Sequence, residues 1–149
     1  MGRPSKILLL VEDNNDDETL TLMALETNRI TNEVVVARDG AEALDFLFGT
    51  GAHAGRDVSV QPQVVLLDLN LPKIGGIEVL RRLRADERTR FLPVVVLTSS
   101  KEEEDILKSY MHGANAYVRK PIEFAEFAEA VRTLGLFWLI QNESAPRAK

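Results

Sequence analysis

Short apolar segments alternate with segments of helical periodicity along this chain. The apolar segments predict five β-strands, at 6–11, 33–37, 63–67, 93–98 and 115–118. Several are nearly continuous in valine, isoleucine and leucine, which is typical of strands buried on both faces of a parallel sheet. Apolar residues at helical spacing predict a helix after each strand, at 16–28, 40–48, 75–86, 101–112 and 123–141. The alternation predicts a doubly wound α/β fold, with helices covering a five-stranded parallel sheet.

A single domain accounts for the length of 149 residues. We expect its core at about 6–141 and a polar tail at 142–149. The glycine-containing segment 49–62 is predicted to form an extended surface loop between the second helix and the third strand. Residues 1–149 are therefore interpreted as one domain.

The composition excludes several kinds of chemistry. The chain has no cysteine, which rules out disulfides, thiolate catalysis and cysteine-bound metals. Its two histidines, His53 and His112, are too few and too far apart for an imidazole-rich zinc site. The net charge of −5 argues against a nucleic-acid partner, which would require a basic surface. Because no apolar window is long enough to cross a membrane, we expect no membrane partner, no signal peptide and a cytoplasmic location.

Carboxylates follow two of the predicted strands. Asp68 follows the apolar residues 64–67 of the third predicted strand, and Glu12 and Asp13 follow the first strand. Ligands of open parallel sheets bind beyond the carboxyl ends of the strands, and the common five-strand order 2-1-3-4-5 makes strands 1 and 3 neighbours. Three carboxylates held together favour a divalent cation, and Mg²⁺ suits the site because it uses few carboxylates and keeps waters for a phosphate. The sequence therefore predicts a magnesium site at this edge.

Phosphoryl chemistry is the reaction that this pocket favours. A positioned carboxylate such as Asp68 can attack phosphorus and form an aspartyl phosphate. Lys120, directly after the fifth strand, is the candidate ammonium for charge stabilisation, and Thr98, at the end of the fourth, offers a hydroxyl. Asp16 and Asp17 are instead expected to favour the positive end of the first helix and to stay outside the site.

Four short motifs stand at or after the predicted strand ends. They are Val11-Glu12-Asp13-Asn14, Leu66-Leu67-Asp68-Leu69-Asn70-Leu71-Pro72 with Gly75-Gly76, Leu97-Thr98-Ser99-Ser100, and Gly113-Ala114-Asn115-Ala116-Tyr117-Val118-Arg119-Lys120-Pro121. Together, over about residues 6–140, they resemble the receiver domain of two-component response regulators. The resemblance implies a flavodoxin-like receiver fold and a stand-alone regulator that accepts a phosphoryl group from a sensor histidine kinase. Its signal would leave by altered association or by relay to a downstream phosphotransfer protein.

The same resemblance implies roles for individual residues. Asp68 is the phosphoacceptor, and Lys120 contacts the phosphoryl group. Thr98 and Tyr117 are the switch residues: the first shifts toward the phosphoryl group and the second swings inward behind it. The implied Mg²⁺ ligands are Glu12, Asp13, Asp68 and the main-chain carbonyl of Asn70.

A narrower resemblance concerns the partner of the chain. The long loop before the third strand, the stand-alone length and the ending Phe137-Trp138-Leu139 are similar to the small regulators of bacterial and cyanobacterial phytochromes. Other single-domain receivers share several of these traits. This resemblance implies that the sensor kinase is a phytochrome.

The last predicted helix carries more apolar residues than one buried stripe requires. One core stripe is formed by Phe124, Phe127, Val131, Leu134 and Trp138. Other faces of the helix carry Leu136, Phe137, Leu139 and Ile140. A helix that is apolar nearly all round is either fully buried or half-buried in a partner. We therefore predict a homodimer whose interface includes Leu136, Phe137, Trp138 and Ile140.

Two alternatives remain open for the acidic pocket. An aspartyl-nucleophile phosphatase usually requires a second acid two residues after the nucleophile, and this chain has Asn70 there. A receiver-like binding module that works without phosphorylation would not need the complete acidic, hydroxyl and lysine set. We therefore expect a phosphoacceptor rather than an enzyme with turnover.

Overall fold

The computed structural model describes residues 7–30, 32–120 and 123–143. Within these ranges, five parallel strands form one sheet: β1 (Ile7–Val11), β2 (Glu33–Ala37), β3 (Val64–Leu67), β4 (Val94–Thr98) and β5 (Ala116–Arg119). The α-helices are α1 (Asn15–Thr27), α2 (Gly40–Phe48), α3 (Gly76–Ala85), α4 (Glu103–Met111) and α5 (Phe124–Gly135). The strand order is β2-β1-β3-β4-β5. The predicted doubly wound parallel sheet and its strand order are therefore confirmed.

The register of the sheet brings the carboxyl ends of β1 and β3 level. Val11 pairs with Leu67, and the backbone N–H of Asp68 donates to the carbonyl of Val11 at 3.1 Å. At the other side of β3, Thr98 ends β4 opposite Arg119 of β5. Residues that directly follow β1, β3 and β5 thus emerge at one edge of the sheet.

Alternate strand residues point to opposite faces of the sheet, and each face has its own apolar core. One core joins Leu9, Val11, Val65 and Leu67 to buried residues of α2 and α3. The other joins Leu8, Leu10, Leu66 and Leu97 to α1 and α5, including Phe127 and Val131. Burial on both faces explains why the three central strands, β1, β3 and β4, are apolar almost throughout rather than alternating.

The predicted surface loop at 49–62 is tied to the end of α2. It includes a short 3₁₀-helix, Gly51–His53. The Arg56 guanidinium lies 4.0 Å from the centre of the Phe46 ring and donates to the carbonyls of Phe46 and Val60, at 2.5 and 2.6 Å. Because these bonds satisfy a carbonyl of the last helical turn, the insertion before β3 is a packed loop.

The C-terminal helix differs from the prediction of one continuous helix over 123–141. The α-helix ends at Gly135 and continues as a π-helix, Leu136–Gln141, in which the N–H of Asn142 donates to the carbonyl of Phe137 at 2.6 Å. The wider turn changes which side chains face the sheet. Leu139 is buried, at 1% exposure, although α-helical spacing places it outside the core stripe.

One further expectation for this helix is corrected and one is confirmed. Phe124, predicted to join the core stripe, is 41% exposed. Trp138 is half-buried and packs against the core, in agreement with its predicted place. The side chains of Leu136 and Ile140, two predicted interface residues, lie outside the described part of the structure. Among the described residues, none of the helices has the length and apolar character needed to cross a membrane.

Candidate functional site

Three carboxylates meet where β1 and β3 end. Oxygens of Glu12, Asp13 and Asp68 all lie within 4.8 Å of one another. Glu12 and Asp68 are buried, at 2% and 7% exposure, whereas Asp13 is exposed. The structure therefore brings together the three acidic residues that the strand order predicts to be neighbours.

The Lys120 ammonium lies at the centre of this cluster. Its Nζ donates to Glu12 Oε1 at 2.5 Å and to Asp68 Oδ2 at 2.9 Å, and its side chain is only 7% exposed. The backbone N–H of Lys120 donates to the carbonyl of Thr98 at 2.8 Å, which fixes the start of the side chain beside β4. The predicted aim of Lys120 into the acidic pocket is what the structure shows.

A third carboxylate contacts Lys120, and the sequence interpretation did not include it. Asp17 Oδ2 accepts from Lys120 Nζ at 2.9 Å. The expectation that Asp16 and Asp17 both stay outside the site is therefore wrong for Asp17, whereas Asp16 is exposed. The side chain of Asn14 caps α1 by accepting from the N–H of Asp17 at 3.0 Å. Because that cap starts α1 just after β1, Asp17 lies in the first turn, beside the strand end.

A hydroxyl and a main-chain donor hold the other oxygen of Asp68. Thr98 Oγ1 donates to Asp68 Oδ1 at 2.9 Å, and the Thr98 side chain is fully buried. The N–H of Asn70 donates to the same oxygen at 3.2 Å. Asp68 therefore has partners on both oxygens, with Lys120 on one and Thr98 with Asn70 on the other.

Tyr117 lies near this group of residues without joining it. Its hydroxyl donates to the carbonyl of Ser100 at 2.9 Å, and the residue is half-buried. This bond links β5 to the segment that precedes α4. Ser100 and Tyr117 also line an open groove of about 360 Å³, together with Lys101, Ile106 and Arg119.

The glycines after Asp68 permit the close approach of α3. A Cβ atom on Gly76 would lie 2.4 Å from the Asp68 carbonyl oxygen and 2.7 Å from the Leu69 Cα. At Gly75 the nearest atom would be 3.8 Å away, which is ordinary contact. The second glycine of the pair is therefore the one that α3 needs in order to begin against the main chain of Asp68 and Leu69.

The electrostatics of the site separate the two buried carboxylates. Burial raises the pKa of Glu12 from 4.5 to about 7; Lys120 opposes this shift and the charge of Asp68 adds to it. Burial alone would also raise the pKa of Asp68, but the hydrogen bond and charge of Lys120, with the N–H of Asn70, lower it below its usual value. Asp68 is therefore ionised at neutral pH, as a nucleophile must be.

Lys120 stays protonated in this environment. Burial favours the neutral amine, but the hydrogen bonds to Asp17, Glu12 and Asp68 and the charge of Asp68 raise the pKa of Lys120 above its usual value. Among the described residues, the Lys120 ammonium thus faces four carboxylates: three in contact, and Asp13 beside them. The surplus of negative charge and the all-oxygen donor set fit a hard divalent ion such as Mg²⁺.

Comparison with known sequences identifies relatives of this fold and site. The sequence model of the response regulator receiver domain family matches residues 8–132 of this chain. The probable methanogenesis regulatory protein FilR2 of Methanothrix harundinacea is 41% identical, over 93% of this chain and 86% of its own length. Response regulator Rcp1 of Synechocystis sp. is 38% identical, over 93% of this chain and 92% of its own length.

Solved structures of similar proteins agree with the sequence relatives. Phosphorylated RcpA, a cyanobacterial phytochrome response regulator, superposes with a TM-score of 0.87 at 37% identity, covering 95% of this chain and 99% of its own. The Mn²⁺-bound form of Rcp1 superposes with a TM-score of 0.86 at 35% identity, with the same coverage of both chains. The bacteriophytochrome response regulator RtBRR gives 0.76 at 51% identity, covering 95% of this chain and 85% of its own.

Proposed function

Because this chain belongs to the response regulator receiver family, we propose that it is a stand-alone regulator that accepts a phosphoryl group from a sensor histidine kinase onto Asp68. The observation that carries the proposal is the pair of contacts on the Asp68 carboxylate. Lys120 Nζ and Thr98 Oγ1 each lie 2.9 Å from one of its two oxygens, beside the acidic cluster. Residues 1–149 would form a single receiver domain.

The proposed transfer makes one bond and breaks one. An oxygen of Asp68 bonds to phosphorus while the P–N bond to the donor's imidazole breaks, and the electron pair of that bond stays on the nitrogen. Lys120 offsets the charge on the phosphoryl oxygens. When bound to Glu12, Asp13, Asp68 and the Asn70 main-chain carbonyl, Mg²⁺ would supply further charge stabilisation.

The proposed switch starts from the hydrogen bond between Thr98 and Asp68. Once Asp68 carries a phosphoryl group, the Thr98 hydroxyl can donate to a phosphoryl oxygen instead, so Thr98 shifts toward it. Tyr117 would then leave the carbonyl of Ser100 and turn inward. The phosphoryl group biases this two-state surface because it contacts Thr98 in only one of the states.

We do not propose a turnover enzyme for this site. Asn70 stands where an aspartyl phosphatase usually has its acid, and an amide cannot protonate a leaving group. The proposed reaction is therefore one phosphorylation per molecule, followed by slow loss of the phosphoryl group. The net charge of −5 also disfavours a nucleic-acid partner, so output would pass to a protein, including a downstream phosphotransfer protein.

Mass spectrometry with Mg²⁺ and acetyl phosphate tests the proposal. The wild-type protein and the Asp16→Asn control should each gain the mass of one phosphoryl group, and hydroxylamine should remove it. Asp68→Asn should gain none. A hydroxylamine-labile label on Asp68→Asn would overturn the assignment, and an unlabelled wild type would favour the phosphorylation-independent binding module. Continuous release of phosphate would favour the phosphatase.

A phytochrome is the kinase that the relatives favour. RcpA is a phytochrome response regulator and RtBRR a bacteriophytochrome response regulator. We therefore propose that a phytochrome histidine kinase donates the phosphoryl group. We also propose that the protein is located in the cytoplasm, where such kinases use ATP. Transfer of label from an autophosphorylated phytochrome kinase to the wild type, and none to Asp68→Asn, is the expected result. Transfer that is no faster than from an unrelated histidine kinase would contradict it.

A homodimer through the C-terminal helix is the proposed assembly. Phe137 is 46% exposed, and its ring meets the Trp138 ring edge-on, with 4.9 Å between centroids. Exposed aromatic side chains such as Phe137 are enriched at interfaces. Phe137→Glu should yield monomers in sedimentation analysis, whereas Phe91→Glu, at an exposed phenylalanine of the loop after α3, should not. A wild type that is monomeric at high micromolar concentration would refute the dimer.

A further inference from the structure

The Lys120 ammonium divides its three N–H donors among three carboxylates. Two of them, Glu12 and Asp68, also belong to the acidic cluster that would hold a divalent cation. The third, Asp17, is 2.9 Å from Lys120 Nζ and is not a member of that cluster among the described residues. Among the three carboxylates that accept from Lys120 Nζ, Asp17 is therefore the one that is not also a candidate metal ligand.

The two shared partners change when the site is loaded. A divalent cation would be held by oxygens of Glu12 and Asp68, and a phosphoryl group would turn Asp68 into a mixed anhydride with less charge on its remaining oxygen. Both changes weaken the pull of those residues on Lys120. Asp17 keeps its full carboxylate, so its contact with the ammonium is the one that persists.

Asp17 is also held in place more firmly than an ordinary surface acid. Its N–H donates to the capping side chain of Asn14 at 3.0 Å, and its carbonyl accepts from Thr21 Oγ1 at 2.8 Å. Its own side chain is 30% exposed, so it lies at the rim of the pocket. A long, flexible lysine that bonds to this fixed rim residue loses much of its freedom before any phosphoryl group arrives.

We infer that Asp17 is a positioning residue. It holds the Lys120 ammonium where it can donate a hydrogen bond to an oxygen of the incoming phosphoryl group. The inference rests on the proposed function, namely that Asp68 accepts a phosphoryl group. It assigns to the first turn of α1 a role in phosphoryl recognition, exerted through Lys120 and not by contact with the phosphoryl group.

The sign of the effect separates positioning from simple charge. Asp17 is an anion near a site for an anion, so removal of its charge should strengthen phosphoryl binding if electrostatic repulsion alone matters. Removal should weaken binding if Asp17 holds Lys120 in place. Asp16→Asn removes the same charge from the same helical turn at an exposed residue, and therefore measures the charge effect alone.

Titration with beryllofluoride, a stable phosphoryl mimic, in saturating MgCl₂ tests the inference by calorimetry. Asp17→Asn should bind about tenfold more weakly than the wild type, and Asp16→Asn should bind equally or slightly more tightly. Equal or tighter binding by Asp17→Asn would overturn the inference. A wild type that binds no beryllofluoride would instead overturn the proposed function, so the two failures are distinguishable.

A second measurement needs neither metal nor phosphoryl mimic. In the metal-free wild type, the three bonds on Lys120 Nζ should protect its ammonium hydrogens from exchange and give a resolved ¹⁵N–¹H resonance. This resonance should persist in Asp16→Asn and broaden through exchange in Asp17→Asn. An unchanged resonance in a folded Asp17→Asn or Asp17→Ala protein would show that Asp17 does not hold the ammonium.

Discussion

Replacement of Lys120 by methionine would test how the acidic pocket is balanced. The side chain is 7% exposed and donates to Glu12, Asp17 and Asp68 within 2.9 Å. Methionine fills similar space but leaves the carboxylates without their cation. Removal of one member of a buried ion pair costs about 3–5 kcal/mol.

The low end of that range is the appropriate magnitude here. Asp17 is 30% exposed and recovers part of its hydration, and the pKa of Glu12, already about 7, rises further without the ammonium, so Glu12 can take up a proton instead of staying charged. We therefore expect Lys120→Met to lose about 3 kcal/mol at pH 8 without divalent ions, taking the low end of the ion-pair range. For a chain of this length, that loss lowers the melting temperature by about 6–12 °C.

The loss should depend on pH and on Mg²⁺ with a defined sign. Without the ammonium, the pKa values of Glu12 and Asp68 rise, so the cost of Lys120→Met grows from pH 5 to pH 8 as these two groups are forced to ionise. MgCl₂ should restore more stability to Lys120→Met than to the wild type, because the cation and the ammonium compete for the same oxygens.

Thermal unfolding in EDTA and in MgCl₂, at pH 5 and pH 8, measures both effects. Lys108→Met is the matched control, because Lys108 is 52% exposed and pairs only with the exposed Glu104. A Lys120→Met protein as stable as this control in EDTA at pH 8 would refute the reasoning. Equal gains from MgCl₂ in the variant and the wild type would refute the competition.

Substitutions at Glu12, Gly76 and Leu139 test three other parts of the structure. Without divalent ions, stability should fall by about 3 kcal/mol between about pH 5 and pH 8, because folded Glu12 holds a proton that the unfolded chain, with a pKa of 4.5, has already lost. Urea unfolding measures this slope, and Glu12→Gln should flatten it; equal slopes would contradict the assignment. Gly76→Ala should lose about 2 kcal/mol or more, since its Cβ would meet main-chain atoms, while Gly75→Ala should be nearly neutral. Equal denaturation midpoints for the two variants would contradict the close approach. Leu139→Ala should cost about 2–5 kcal/mol in urea unfolding of the monomer and Phe137→Ala much less, and the reverse order would contradict the π-helical register.

The fold was largely predictable because the strands are buried on both faces. Continuous apolar segments such as 64–67 are typical of strands in a sheet that is covered on both sides, which indicates a parallel sheet with helical crossovers. Helix ends were less predictable, and the change from α-helix to π-helix at Gly135 was missed. Apolar side chains recur on every face of that segment, so periodicity alone could not show which of them would pack.

The residues of the site were also predictable only in part. The positions of Glu12, Asp13 and Asp68 at strand ends were visible in the sequence, since a carboxylate directly after a buried strand must emerge at the sheet edge. Thr98 and Lys120 follow from the same rule. Asp17 lies on a helix, and its side chain direction depends on how α1 packs and on where Asn14 caps it.

The amino-acid sequence by itself determined the layers of this protein and the carboxylates at its strand ends, because these depend on which residues must avoid water and on where the apolar segments stop. The strand order was expected from the order common to five-stranded sheets, and the structure confirms it. Only the tertiary structure decided how the charges are shared. Asp17 is the third hydrogen-bond partner of the Lys120 ammonium. Asp68 stays ionised beside Glu12, whose pKa is raised, because burial and distances of about 3 Å set the interaction energies of these charges. Such distances arise from packing between elements far apart in the chain, which no local pattern specifies.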